Sequence, residues 1–231
     1  MAVRRCRQFD VPHFIALWLP VIVLFAIASF SGMQLGVRYI LPVIPPCTIV
    51  CGTVAASGTI TRYLNPWGGR LAALLVLGSS LRFHPHHLAY FNELSGGPLG
   101  GRNHLLDSNL DWGQDLYRAR DYIQAHAEER PRFIYFGTVE PRLVGAGVPF
   151  PPSRRPEPGL YLVSVNFVMG RPHAAWQPDG VRRSIDFQEF GYFRLFEPVD
   201  HAGCSIDVYR IKGEDIQRII ASGPRSPSPS R

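Results

Sequence analysis

The stretch DSNLDWGQDL, residues 107–116, gathers the side chains of this 231-residue chain best suited to chemistry. Asp107, Asp111 and Asp115 stand four residues apart, with Asn109, Trp112 and Gln114 among them. The acids are candidate general bases for activating a hydroxyl. The amides and the indole fit a sugar or a lipid head group, through hydrogen bonds and an aromatic face. The six residues are therefore a candidate polar site. The same letters also spell a strand–cap–helix junction. His104-Leu105-Leu106 reads as a short strand, Asp111 as an N-cap and Gln114 as its capping-box partner three residues on. Leu116, Ala119, Ile123 and Ala127 then form one apolar stripe, which predicts a helix to about Glu129 that stops before Pro131.

A second cluster is His84, His86 and His87. Imidazoles are common metal ligands. Pro85 interrupts the cluster, however, and Glu93 is the one carboxylate near helical spacing. These histidines are weak metal candidates and read better as residues of an interface. No cofactor is expected, and a divalent metal is left open. A third candidate is Arg38-Tyr39. The bidentate fork of arginine suits a lipid phosphate, and an arginine beside an apolar run also simply snorkels.

The elements that must position these groups divide the chain. Mean hydropathy is zero and formal charge is +6, but the average hides an apolar first third. Three runs, about 13–30, 39–60 and 64–83, read as membrane-spanning helices. The first carries Pro20, and Pro42, Pro45 and Pro46 crowd the start of the second. The third is strongly apolar only over Leu71–Leu81 and reads alternatively as re-entrant or interfacial. Arg4, Arg5 and Arg7 before the first run, and Arg62 and Arg70 after the second, place the N-terminus in the cytoplasm. The fold class expected is a membrane α-helical segment of about three spans, followed by a small extracytoplasmic α/β domain over 84–221. A Ser/Pro/Arg-rich disordered tail, 222–231, closes the chain. Localisation follows as an integral protein of a bacterial inner or plasma membrane. No dense basic block argues for nucleic acid. Cys6, Cys47, Cys51 and Cys204 show no metal spacing or disulfide framework.

Within 84–221, RFIYFG (132–137), LYLVSV (160–165) and SIDVYRI (205–211) read as strands. The segment 88–94 is an amphipathic turn, 140–147 irregular or helical, and 169–183 a polar loop. Phe187–Phe196 reads as helical, and Ile216, Ile219 and Ile220 suggest a terminal helix.

Four motifs carry a resemblance. VRYILPVIP (37–45), PHHLAYFNELSGGP (85–98), DSNLDWGQDL and GLYLVSVN (159–166) resemble the C-terminal part of bacterial multispanning glycosyltransferases. These are the protein-mannosyltransferase-like family 39, with the C-type membrane fold. The resemblance covers roughly 35–211. It implies a polyprenyl-phosphate-linked sugar donor, membrane lipid as a partner, and Arg38 and Tyr39 near the lipid phosphate. The family's catalytic acids belong to an external loop, and the corresponding SGMQLGV (31–37) has no acid, so no catalytic residue is assigned. The function implied is that of the C-terminal portion of such an enzyme, incomplete alone and completed by a polypeptide supplying further spans. Two alternatives stay open. One is a non-enzymatic membrane-anchored module whose outer domain binds a glycan or protein. The other is a metal-dependent enzyme built on the three histidines.

Overall fold

The computed structural model describes residues 11–30, 41–56 and 66–221, and the chain divides into two compact units, Met1–Arg82 and Phe83–Arg231. The first unit holds helices α1 (Val11–Phe30), α2 (Ile44–Ala56) and α3 (Pro66–Arg82). Pro45 and Pro46 fall in the first turn of α2, where a missing N–H costs no intrahelical bond.

These helices correct the expectation of three spans. Among the described residues no helix is long and apolar enough to cross a membrane. At 1.5 Å per residue, the 13 residues of α2 and the 17 of α3 reach about 20 and 26 Å, short of a ~30 Å hydrocarbon core. Helix α3 also opens on Trp67, Gly68, Gly69 and Arg70, and Arg82 ends it. Helix α1 has 20 residues, but Pro20 lies inside it. A proline removes a backbone bond and kinks the helix, and the stretch beyond it, Val21–Phe30, reaches only about 15 Å. The membrane fold class, the transmembrane assignment and the inside-to-outside placement therefore fall together. Arg38, Tyr39, the loop 31–37 and the tail 222–231 lie outside the described residues.

The second unit is an α/β domain, whose first α-helix is the single turn α4 (Gly97–Gly100). Strands β1 (Arg132–Ile134), β2 (Gly159–Ser164), β5 (Asp200–His201) and β6 (Ile206–Ile211) form one sheet in the order β1-β2-β6-β5. Strand β1 runs parallel to β2, with Phe133 opposite Leu162. Strand β6 runs antiparallel to β2, with Val208 opposite Leu162, and β5 antiparallel to β6. Both faces of the sheet are covered, so period-two alternation feeds two cores. Phe133, Leu160, Leu162, Ile206 and Val208 pack with Leu116, Ala119 and Ile123 of helix α5 (Leu116–Ala125). Ile134, Tyr161, Val163, Tyr209 and Ile211 pack on the opposite side with Phe167, Phe190 and Phe193. Each such side chain contributes roughly 1.5–3 kcal/mol by leaving water.

The three strands expected from sequence are present, and helix α7 (Gly213–Ala221) covers the expected terminal helix. Other expectations are corrected. Helix α5 ends at Ala125, a 3-10 turn follows at Ala127–Glu129, and Arg130 takes a left-handed φ of 52° before Pro131. The polar loop 169–183 contains a hairpin of β3 (His173–Trp176) and β4 (Arg182–Ile185). Its HAAW and RRSI letters are too weakly apolar to signal a strand. Phe187–Phe196 holds a 3-10 turn, Gly191–Leu195, rather than an α-helix. No strand forms at 104–106, which leads into a 3-10 turn at Asp107–Asn109.

Candidate functional site

The loop 107–115 folds as a tight shell on the end of the sheet, and its acids take three different roles. Asp111 is completely buried. Its Oδ1 accepts from the Gly113 N–H at 2.8 Å and its Oδ2 from the Ser164 hydroxyl at 2.5 Å. This is an Asx-type turn joined to the end of β2, not a helix cap. The capping-box expectation is corrected accordingly: α5 begins four residues later than that box requires, with Asp115 at its N-cap and no side-chain capping bond. Gln114 reaches back to the Trp112 N–H at 2.7 Å and donates to the Leu110 carbonyl at 2.8 Å. Burial, with the charge of Asp115 nearby, pushes the Asp111 carboxyl up to about 7 against the pull of its hydrogen bonds.

Asp115 ties the start of α5 to the turn before β6. Its Oδ2 accepts from the N–H groups of Cys204 and Ser205 at 3.0 and 3.1 Å and from the Ser205 hydroxyl at 2.9 Å. Two glycines make room for this shell. Gly113 has φ +82°, and a Cβ there would strike the Tyr135 hydroxyl, which itself donates to the Gly113 carbonyl at 3.2 Å. A Cβ at Gly203, φ +80°, would strike the Asp115 carboxylate.

Asp107 faces outward. Its φ is +64°, its N–H donates to the Asn166 side-chain oxygen at 2.7 Å, and its carboxylate accepts from Arg171 at 3.1 Å. Asn109 donates to the Leu106 carbonyl at 3.0 Å. Trp112 is 54% exposed, although its indole N–H is fixed on the Ser108 carbonyl at 2.6 Å. The structure therefore brings Asp107, Asn109, Asp111, Trp112, Gln114 and Asp115 into one shell. Asp111 and Asp115 form its buried side, while Trp112 and the Asp107–Arg171 pair lie on its surface.

Sequence reasoning missed a second buried acid centre. Asp207, fully buried on β6, accepts from Arg102 at 2.5 and 2.9 Å, from His201 Nδ1 at 2.9 Å and from the Tyr209 hydroxyl at 3.1 Å. Burial alone would raise this carboxyl; the bonds from His201 and Arg102 outweigh it and hold the group below the usual carboxylate range. A signal for it existed. An aspartate inside SIDVYRI, a strand apolar on both faces, needs a cationic partner to be buried. Which cation answers it is set by the fold, because Arg102 lies 105 residues away.

The histidine cluster is loose. His84 Nδ1 and His87 Nε2 lie 3.3 Å apart with both rings exposed, and among the described residues no group of three His, Cys, Asp or Glu side chains is arranged to hold a metal. Arg38 and Tyr39 cannot be placed relative to the shell, since they lie outside the described residues.

Set against known proteins, the chain matches no family model, no curated protein and no solved structure.

Proposed function

We propose that residues 83–221 form a non-catalytic recognition domain for glycans, with the indole of Trp112 as its contact platform. One observation carries this reading. The two acids of the loop that lie closest to Trp112 in sequence, Asp111 and Asp115, are inside the protein and committed to protein donors, while the aromatic ring is held at the surface. A general base must reach the proton it takes, and a fully buried carboxylate bonded to Ser164 is not placed to meet a sugar hydroxyl. A tryptophan fixed at both its indole and backbone N–H loses little freedom on binding, which favours a stacked ligand.

The resemblance of the four sequence motifs to family 39 glycosyltransferases supports the glycan as ligand. It also supports a working partner: a polypeptide that uses a polyprenyl-phosphate-linked sugar and supplies the catalytic carboxylate. The test is titration of the full chain with a panel of hexose and N-acetylhexosamine disaccharides, read by tryptophan fluorescence. Saturable binding that drops about tenfold or more in Trp112→Ala, at unchanged melting temperature, is the expected result. Transfer of sugar by the chain alone, lost in Asp111→Asn, would replace recognition with catalysis.

A further inference from the structure

One buried donor near the shell has no use within the protein. Asn166 is fully buried at the start of helix α6 (Val165–Val168), directly after β2. Its Oδ1 accepts from the Asp107 N–H, and its backbone carbonyl accepts from the Arg171 N–H at 2.9 Å. The Arg171 guanidinium then returns to the Asp107 carboxylate, closing a ring of three residues. The amide orientation is fixed, because the Asp107 N–H requires an oxygen. The Asn166 Nδ2 amino group, on the same head, is left buried without a partner. Such a group carries a desolvation cost that a bound acceptor would remove.

The side chains around this ring are short of negative charge. Arg171 is about half exposed. His173, exposed two residues on, is held below its ordinary value by burial and by the charges of Arg182 and Arg171, with Asp107 opposing them. The one carboxylate of the ring, paired with Arg171, belongs to a residue in the left-handed region.

We infer that Asn166 and Arg171, which meet on Asp107, form a site for the oxyanion of an acidic sugar, a phosphosugar or a uronate, which takes the place of the Asp107 carboxylate on Arg171. The Asn166 amino group and the Arg171 guanidinium are donors only, so they select an acceptor-rich group over a neutral hydroxyl. The indole of Trp112 is anchored on the Ser108 carbonyl, one residue along the chain from Asp107. The inference rests on the glycan reading and names its ligand class.

The experiment is isothermal titration of the full chain with four probes: mannose, mannose 6-phosphate, glucuronate and inorganic phosphate. The acidic sugars are expected to bind at least about tenfold tighter than mannose, the gain of one charge-assisted hydrogen bond. Arg171→Gln should collapse that ratio, and Arg171→Lys should restore it in part. Asp107→Asn should raise it, because the competing carboxylate is gone; a merely structural ring would not respond in that direction. Equal affinity for mannose and mannose 6-phosphate overturns the inference and leaves the glycan reading standing. Inorganic phosphate binding as tightly as mannose 6-phosphate, with no measurable affinity for mannose or glucuronate, overturns both and assigns the site to free phosphate.

Discussion

Replacing Asp111 with asparagine should remove a pH dependence from the stability of the domain. In the folded chain the Asp111 carboxyl is pushed up to about 7 from 3.8. Between those values the folded state keeps a proton that the unfolded state has released. Stability is therefore fully present below the lower value and is lost as pH rises through the upper one. The whole difference is on the order of 4 kcal/mol. Over the accessible window from about pH 5.5 to 8.5, the same linkage leaves about 2 kcal/mol to be lost. Asparagine keeps an oxygen for the Gly113 N–H and does not ionise, so Asp111→Asn should lack this loss. Urea denaturation of parent and variant at both pH values gives the answer as a double difference. Titrating groups not coupled to Asp111, and the first unit of the chain, contribute equally to both proteins and cancel. Equal pH slopes in the two proteins would refute the buried, proton-holding role assigned to Asp111.

Further outcomes are expected by the same logic. Arg102→Ala should cost about 3–5 kcal/mol in urea denaturation, because it leaves the fully buried Asp207 short of its main cation. The depressed Asp207 carboxyl works in the opposite sense to Asp111: its stabilisation is present above the ordinary value of 3.8 and disappears as pH falls through its lower folded value, so Asp207→Asn should flatten acid unfolding below about pH 4. Gly113→Ala forces a Cβ toward the Tyr135 hydroxyl at positive φ and should cost at least about 1–3 kcal/mol, with Tyr135→Phe relieving little of it because the ring carbons also crowd the site. Leu162→Ala, at the centre of the sheet, should cost about 2–5 kcal/mol in the same assay.

Much of the architecture of the second unit is legible in the letters. RFIYFG, LYLVSV and SIDVYRI are continuous enough in apolar and β-branched residues to declare strands, and their alternation divides correctly into two cores. The hairpin at 173–185 is hidden because its buried residues are small or isolated, Ala175 and Ile185, among exposed arginines. The apolar runs of the first third suggest spans by composition. Among the described residues the helices there span Ile44–Ala56 and Pro66–Arg82, or carry Pro20 inside, and length is what a membrane measures. The acid-rich loop could be singled out by letter, but not the fate of each acid. Asp111 and Asp115 are four residues apart and both turn inward, because their donors, Ser164 at the end of β2 and Ser205 in the turn before β6, come from 53 and 90 residues away. The same long-range placement explains why Asn166 and Arg171 were not recognisable beside Asp107. Asn166 ends a strand motif, and nothing local marks its amino group as unpartnered.

The most direct test of the recognition domain is disaccharide titration of the full chain and of Trp112→Ala, with melting temperatures measured on the same samples. The account predicts saturable binding by the parent, a fall of about tenfold or more in the variant, and equal melting temperatures. Unchanged affinity in Trp112→Ala would contradict it.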